Sequence, residues 1–132
     1  MIVLDDGVVV SHAAVVERTL DVGEERFRVG YVEGVGTSES KRRRGSGSLV
    51  MGQIAKLIRA HFELGALSTD EQPFYERLAW ERWRGPSFVR RGTEVVRTED
   101  EDTGLMVLRF GRSADVDLTA SIVCEDRPGE AW

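Results

Sequence analysis

The stretch KRRRGSGSL, residues 41–49, places four cations directly before two glycines that are one residue apart. Strand-like segments precede this stretch, and a helix-like pattern follows it. A helix N-terminus offers unpaired N–H groups and the positive end of the helix dipole, and glycines let another group approach the backbone closely. The sequence therefore predicts an anion site at this loop, with phosphate oxygens as the natural ligand. The apolar residues that define the helical pattern are Leu49, Val50, Ile54, Leu57, Ile58 and Phe62.

The loop fits neither of the common nucleotide-binding patterns. The three glycines of the dinucleotide motif are missing, and no Gly-Lys-Ser/Thr follows as in a P-loop. A nucleic-acid grip by Arg42, Arg43 and Arg44 is disfavoured, because the sequence pI is about 5.1 and no second basic, aromatic-interleaved stretch occurs. We therefore expect no nucleic-acid partner.

Length and composition are typical of one domain. The 132 residues are 41% apolar and 31% charged, which suits an ordinary core with a solvated surface. No apolar run is long enough for a membrane span, and the N-terminus lacks the features of a signal peptide. The single cysteine, Cys124, cannot form an internal disulfide. These features predict a cytoplasmic protein with no membrane partner.

Charge is unevenly distributed along the chain, whose net charge is −5. Residues 99–132 contain nine acidic residues and three arginines, whereas residues 1–98 are nearly balanced. An acidic part beside a basic loop predicts one site for an anion and another for a cation. A solvated surface with uneven charge is the alternative.

The first half of the chain predicts strands followed by a helix. Residues 1–37 are rich in β-branched residues and predict antiparallel strands, with a hairpin turn in the segment DVGE, 21–24. The long helix is predicted to begin near Gly47 and to stop at Gly65.

The second half predicts a strand, a helix and a strand. The segment ALS, 66–68, indicates a short buried strand, and LMVLRF, 105–110, indicates a last one. Between them, Ser68 or Thr69 is the predicted N-cap of a second helix. Residues 125–132 predict an irregular tail.

Several separated stretches resemble the GNAT superfamily of acyltransferases, and more closely the aminoglycoside 2′-N-acetyltransferases. RRRGSG matches the superfamily's pyrophosphate loop, (Gln/Arg)-x-x-Gly-x-(Gly/Ala), whereas WRGP and the tail ending in Trp132 are more specific to the aminoglycoside enzymes. In chain order the similar stretches are GYVEGV (30–35), RRRGSG (42–47), LGALS (64–68), FYERLAWERWRGP (74–86) and CEDRPGEAW (124–132).

The resemblance implies an α+β GNAT fold. Its sheet is mixed and mostly antiparallel, has flanking helices, and splays between the family's fourth and fifth strands, with acetyl-CoA in the gap. It implies a single domain over residues 1–132. Antiparallel strands are expected in 1–37, the pyrophosphate loop and long helix in 38–64, and the acceptor-binding part in 65–132.

The resemblance also implies a fold shortened at its N-terminus. Related enzymes carry an extra strand and usually two helices before the position of Met1, and these cover one side of the acceptor cleft. A truncated reading frame, a homodimer and a partly lost substrate site are the explanations left open. A homodimer would cover the sheet edge expected at residues 2–4.

The resemblance assigns acetyl-CoA, as co-substrate, to the loop and to the strand before it. Backbone amides of the loop would hold the pyrophosphate, and an arginine fork would add charge. The end of the preceding strand would pair with the extended pantetheine arm. A solvated basic turn and an ordinary strand are the alternatives, and no metal is expected. The expected cofactor-binding residues are Val35, Gly36, Thr37, Arg42, Arg43, Arg44, Gly45, Ser46 and Gly47.

Glu33 and Tyr75 are the expected catalytic residues. Glu33 lies two residues before Val35 and so faces the same side of the strand. A carboxylate there can bind an ammonium or remove its proton through water. Tyr75 resembles the family's general acid, which protonates the departing thiolate. A surface glutamate paired with an arginine and a core tyrosine are the alternatives.

Carboxylates are predicted to bind a polycationic acceptor such as an aminoglycoside. The carboxylate of Trp132 belongs to this wall, and its ring would lie against a sugar or a cation. Taken alone, the EDED of residues 99–102 is more typical of a solvated turn, and Ser68 of a helix cap. The expected acceptor-binding residues are Glu33, Gly34, Ser68, Asp100, Glu101, Glu130 and Trp132.

The predicted function is direct transfer of acetyl from acetyl-CoA to a primary amine, with the 2′-amine of aminoglycosides as the expected acceptor. A GNAT enzyme for another polyamine and a non-catalytic acyl-CoA-binding remnant are the alternatives. His12 and His61 are interpreted as structural, and Cys124 as a small buried hydrophobe.

Overall fold

The computed structural model describes residues 2–5, 8–37 and 46–132, and within them the side chains of 13–33 and 48–132. Nine strands form one mixed sheet among these residues. The strands are β1 (Ile2–Asp5), β2 (Val8–Val22), β3 (Glu25–Thr37), β4 (Leu64–Ser68), β5 (Glu81–Arg82), β6 (Ser87–Arg91), β7 (Glu94–Arg97), β8 (Leu105–Leu108) and β9 (Ile122–Glu125). The α-helices are α1 (Ser46–His61) and α2 (Gln72–Glu76), and short 3-10 helices occupy Glu99–Glu101 and Gly111–Ser113.

The strand order is β5-β8-β4-β3-β2-β9-β6-β7; in addition, β1 pairs with the first residues of β2, whereas β9 pairs with its last residues. The pairs β3–β4 and β6–β9 are parallel, and the other pairs are antiparallel. The predicted α+β architecture with a mixed, mostly antiparallel sheet is confirmed.

The long β2–β3 hairpin forms the centre of this sheet. Its antiparallel ladder runs from Val22↔Glu25 at the turn to Ser11↔Thr37 at the far end. Gly23 adopts a φ of +57°, a conformation that costs glycine little, and this explains the tight connection. The predicted antiparallel strands and the predicted turn are both confirmed.

The strands β3 and β4 separate after only three paired positions. Their parallel ladder joins Val29 to Leu64, Gly30 to Gly65 and Tyr31 to Ala66. From there β3 continues to Thr37, while the rest of β4 pairs with β8. Among the described residues, the end of β3 is therefore unpaired on the side of β4, which is the predicted splay.

Apolar side chains form a cluster on each face of the sheet. Helix α1 packs Val50, Met51, Ile54 and Ile58 onto the first face, and all four are at most 1% exposed. The second face, which carries Phe27, Val29 and Tyr31, is covered by irregular segments and the C-terminal tail.

The prediction that Gly65 ends the long helix is wrong. Helix α1 ends at His61, and Glu63 already donates its N–H to the Arg28 carbonyl at 2.8 Å, on the way into β4. Gly65 lies inside β4, where an added Cβ would stand 3.0 Å from the Leu108 Cβ and 3.1 Å from the Trp80 ring. The absence of a side chain at Gly65 allows the Trp80 indole to pack closely against the sheet.

The predicted N-cap of the second helix is also wrong. The N-cap residue of α2 is Glu71, without a side-chain cap, whereas Ser68 is the last residue of β4. The hydroxyl of Thr69 accepts the N–H of Glu71 at 2.9 Å, which forms a turn before the helix.

The sequence prediction missed four strands: β5, β6, β7 and β9. They have two to five residues each, so local patterning gives little signal. Strands β5 and β9 pair only with segments distant in the chain, whereas β6 and β7 form a local hairpin whose turn at Gly92 was not recognised. The WRGP stretch directly precedes β6. A Cβ on its Gly85 would lie 1.9 Å from the Ala120 carbonyl oxygen, so only glycine fits between these backbones.

Candidate active site

A cleft of about 930 Å³ opens beside the point where β3 and β4 separate. Strand β3, the end of β4, the β4–α2 connection, helix α2 and the C-terminal tail all contribute to its walls. The lining residues are Tyr31, Val32, Glu33, Leu67, Ser68, Thr69, Asp70, Glu71, Tyr75, Glu101, Arg127, Pro128, Glu130 and Trp132.

The cleft is strongly acidic. Five carboxylate side chains line it, and Arg127 is the one basic side chain among its described lining residues. A low-dielectric concavity of one charge sign concentrates ions of the opposite sign. The electrostatics therefore favour a cationic ligand. The five carboxylates belong to Glu33, Asp70, Glu71, Glu101 and Glu130.

The Glu33 carboxylate is held by an arginine at the edge of this cleft. Nη1 of Arg127 donates to Oε1 of Glu33, and their side chains are 24% and 35% exposed. The sequence left two interpretations of Glu33 open: a carboxylate of the active site, or a surface glutamate paired with an arginine. The structure contains the arginine pair and also places Glu33 in the cleft lining.

Tyr75 combines packing with a place in the cleft wall. Its side chain on α2 is 4% exposed, and its ring packs edge-on against Phe74 at 4.9 Å and Trp80 at 6.5 Å between centroids. The same residue lines the cleft together with Glu33. These ring contacts fix the orientation of the Tyr75 side chain.

The structure brings most of the predicted acceptor wall together. Ser68, Glu101, Glu130 and Trp132 all line the cleft with Glu33. The hydroxyl of Ser68 donates to Oε2 of Glu101 at 3.4 Å, which links the end of β4 to the 3-10 helix.

Two of the residues predicted to bind the acceptor, Asp100 and Trp132, differ from the others in their placement. Asp100, although next to Glu101, is not among the cleft-lining residues, because the one-turn helix presents neighbouring side chains in different directions. The Trp132 ring is 4% exposed, and the cation against it is the guanidinium of Arg18, 5.9 Å from the ring centroid. The ring therefore packs mainly inside the protein.

Arg18 anchors the C-terminal tail from inside the protein. It is 3% exposed and donates to the Glu125 carboxylate at 2.5 Å and to the Ala131 carbonyl. Its guanidinium also lies 5.0 Å from the centroid of Tyr31, and that of Arg127 lies 5.4 Å from it. Burial raises the pKa of Tyr31 despite these cations, so the ring stays a neutral phenol.

A second anchor fixes the 3-10 helix that carries Glu101. Asp102 accepts hydrogen bonds from Arg97 and from both the backbone N–H and the hydroxyl of the fully buried Ser87. The hydrogen bond from Arg97, together with the weaker contributions of those from Ser87, lowers the pKa of Asp102 to about 2 against the opposing effect of burial. Asp102 is thus a structural carboxylate behind the cleft wall.

The predicted acetyl-CoA residues are only partly described. Arg42, Arg43, Arg44 and Gly45 lie outside the described residues, while Ser46 and Gly47 form the first residues of α1. The backbones of Gly34, Val35, Gly36 and Thr37 belong to the part of β3 beyond its last pair with β4. An unpaired strand edge and a helix N-terminus fit an extended, phosphate-bearing ligand.

Other polar residues have no part in the cleft. Cys124 is 1% exposed, lies outside the lining, and has a pKa raised by burial, as expected for a small buried hydrophobe. His61 ends α1, and its carbonyl accepts a hydrogen bond from Arg28 at 2.5 Å. The side chain of His12 lies outside the described part.

Within the described part of the chain, no group of three or more His, Cys, Asp or Glu residues is arranged to hold a metal ion. Neither of the described α-helices is both long and apolar enough to cross a membrane.

Sequence reasoning missed three charged cleft residues: Asp70, Glu71 and Arg127. Asp70 and Glu71 lie between the stretches LGALS and FYERLAW, and Arg127 lies in CEDRPGEAW. Proximity to those stretches was the signal that could have identified them. In the local sequence, Asp70 and Glu71 are typical of the acidic start of a helix, and Arg127 is typical of a solvated tail.

Comparisons with known proteins identify the family. The family model described as "Acetyltransferase (GNAT) domain" matches residues 1–83. An aminoglycoside 2′-N-acetyltransferase from Mycolicibacterium fortuitum is 38% identical over 130 residues, which cover 96% of this chain and 67% of that protein. The chain belongs to the GNAT acetyltransferase family.

A solved structure supports the GNAT fold independently. The crystal structure of a GCN5-related N-acetyltransferase from Kribbella flavida matches with a TM-score of 0.57 and 24% identity, over 61% of this chain and 21% of that one. At this identity the match concerns the fold alone. GNAT acetyltransferases are acetyl-transferring enzymes that use acetyl-CoA as co-substrate, so the family sets the type of chemistry to be explained by this cleft.

Proposed function

We propose that this GNAT protein transfers acetyl from acetyl-CoA to a primary amine of a polycationic acceptor, with the 2′-amine of aminoglycosides as its substrate. The observation that carries the proposal is the cleft itself: Glu33, Tyr75 and four further carboxylates surround it where β3 and β4 separate. The printed name of the relative from Mycolicibacterium fortuitum supports the acceptor class.

The reaction needs a neutral amine beside a fixed thioester. Backbone groups of Val35 to Thr37 and of the loop before α1 would hold acetyl-CoA, whose thioester supplies the acetyl group. The amine nitrogen then attacks the carbonyl carbon, the C–N bond forms, and the C–S bond breaks. Holding both reactants in one complex supplies much of the rate through proximity and orientation.

The two side chains that move protons have complementary tasks. The carboxylate of Glu33 accepts the proton of the acceptor ammonium through a water molecule, since a protonated amine has no lone pair with which to attack. The hydroxyl of Tyr75 protonates the departing thiolate, and the proton that the attacking nitrogen loses as the amide forms restores the phenol. Proton transfer of this kind typically contributes about 10²–10⁴-fold to a rate.

The carboxylates explain the choice of a polycationic acceptor. Glu101 and Glu130 share the described cleft lining with a single cation, Arg127, which supports their availability to several ammonium groups of one acceptor. An acceptor with a single amine would satisfy Glu33 alone and would leave the other carboxylates without a partner.

A panel of acceptors tests the proposal by release of the CoA thiol. We expect turnover with an aminoglycoside that carries a 2′-amine and none with an analogue that carries a 2′-hydroxyl at the same position. Turnover of spermidine in the absence of turnover of either aminoglycoside would assign the enzyme to another polyamine. Calorimetric binding of CoA without turnover of any amine would identify an acyl-CoA-binding remnant.

A further inference from the structure

We infer that Arg127 is a positioning residue, which fixes the Glu33 carboxylate and the C-terminal tail relative to each other and so sets the geometry of the acceptor site. The inference rests on the proposed function, because it concerns how Glu33 is presented to an amine. Arg127 was not expected from the sequence to have any role.

The three contacts of Arg127 join the C-terminal tail to strand β3. Nη1 donates to Oε1 of Glu33 on β3, and Nε donates to the backbone carbonyl of Glu130 at 2.8 Å. The guanidinium also lies over the ring of Tyr31, 5.4 Å from its centroid. A planar guanidinium with donors in fixed directions can satisfy such contacts together, whereas a lysine ammonium cannot reproduce their geometry.

The tail needs such a tie because it has no regular secondary structure. After β9 ends at Glu125, no ladder or helix orders the residues up to Trp132. Arg18 and Thr98 hold the segment at Ala131 and Trp132. Arg127 adds the contact that joins the tail to the carboxylate of Glu33.

The pairing leaves part of Glu33 free for a ligand. Among the described residues, only Oε1 is engaged by Arg127, and no donor reaches Oε2. One oxygen thus fixes the side chain and the other is available to an ammonium or to a bridging water. Arg127 also places a positive charge among carboxylates that would otherwise repel each other.

A double-mutant cycle on kcat tests whether Arg127 acts through Glu33. The four proteins are the wild type, Arg127→Gln, Glu33→Gln and the double variant, assayed with acetyl-CoA and a 2′-amino aminoglycoside. We expect Arg127→Gln to lower kcat by about 10–100-fold in the wild type, the size of a lost charge-assisted hydrogen bond. In the Glu33→Gln background the same change should alter kcat by less than about 3-fold, because the interaction is already absent.

The conservative variant and a matched control separate positioning from general stability. Arg127→Lys should recover part of the lost kcat, since charge and one contact remain. Arg109→Gln is the control, because Arg109 pairs with Glu81 at similar exposure, 26% and 38%, and also donates to a backbone carbonyl, that of Val116. Arg109 does not line the cleft, so its loss should lower the melting temperature while kcat stays within about 2-fold.

The inference would be overturned if Arg127→Gln lowered kcat by the same factor in the wild type and in the Glu33→Gln background. It would also be overturned if Arg109→Gln lowered kcat as much as Arg127→Gln does. If the wild type acetylates no amine, the proposed function fails, and the melting temperatures of the same four proteins still decide whether the link exists. The link would be supported if the melting temperature of the double variant were no lower than that of the less stable single variant. Losses that simply add would overturn it.

Discussion

The indole N–H of Trp132 donates a hydrogen bond to the hydroxyl of Thr98 at 3.1 Å. The hydroxyl and carbonyl of Thr98 are also within hydrogen-bonding distance of the hydroxyl of Ser87, which donates to Asp102. The C-terminal tail and the segment that carries Glu101 therefore share one buried anchor. These two segments supply three of the acidic or aromatic residues of the cleft wall, so the wall depends on a network behind it.

The first prediction concerns the proton donor. Tyr75→Phe retains the ring that packs against Phe74 and Trp80 and removes only the hydroxyl. We expect kcat for acetyl transfer to fall by about 10²-fold with the melting temperature nearly unchanged. Thiol release and thermal unfolding measure the two quantities. Wild-type kcat in this variant would show that Tyr75 serves packing alone.

The second prediction compares two neighbouring acids. Glu101→Gln removes a carboxylate from the cleft, whereas Asp100→Asn removes one that does not line it. We expect Glu101→Gln to raise KM for a polycationic amine by about 10-fold, the order of one lost charge-assisted contact. Asp100→Asn should change KM by less than about 2-fold. Equal effects would mean that long-range charge, not contact, governs binding.

The third prediction uses two glycines with different surroundings. Gly65→Ala should lower the free energy of unfolding by about 1–3 kcal/mol, because the new Cβ would meet Leu108 and Trp80 at 3.0 and 3.1 Å. Gly52→Ala should raise it by about 0.5–1 kcal/mol, since Gly52 lies within α1 and no atom stands within 4 Å of the added Cβ. Denaturant unfolding measures both changes. A stabilising Gly65→Ala would contradict the packing that we describe.

The fourth prediction concerns acid stability. The pKa of Asp102, lowered to about 2 chiefly by the hydrogen bond from Arg97, lies below its unfolded value near 3.9. Its stabilising contribution is therefore complete above the unfolded pKa and is lost as pH falls through the folded pKa. Asp102→Ala should reduce the free energy of unfolding by about 1–3 kcal/mol at neutral pH, because the buried Ser87 donors lose their acceptor.

The pH dependence supplies the check on that prediction. The stability difference between the wild type and Asp102→Ala should shrink between about pH 4 and pH 2, as the wild-type carboxylate becomes protonated. Asp21→Ala is a suitable comparison, since Asp21 also pairs with arginines and has a lowered pKa but lies on the solvated β2–β3 hairpin. A smaller difference is expected there, as for exposed ion pairs in general. A constant difference for Asp102 at all pH values would contradict its assignment.

Local chemistry in the sequence was enough to predict the β2–β3 hairpin, the long helix and strand β8. These elements depend on nearest neighbours: β-branched residues around Gly23, and apolar residues at helical spacing from Val50 to Ile58. The stretches LGALS and FYERLAW likewise led to Ser68 and Tyr75, which the cleft contains.

Only the tertiary structure decided the use of Gly65, the place of Asp100 and the partner of Glu33. Gly65 resembles a helix stop locally, but contact with Trp80 determines its role. Glu33 and Arg127 are 94 positions apart, and no local pattern indicates that an irregular tail will fold back on β3. Periodicity and capping report contacts within a few residues, whereas the cleft is made by distant segments that meet through Arg18, Arg127 and a network of hydrogen bonds.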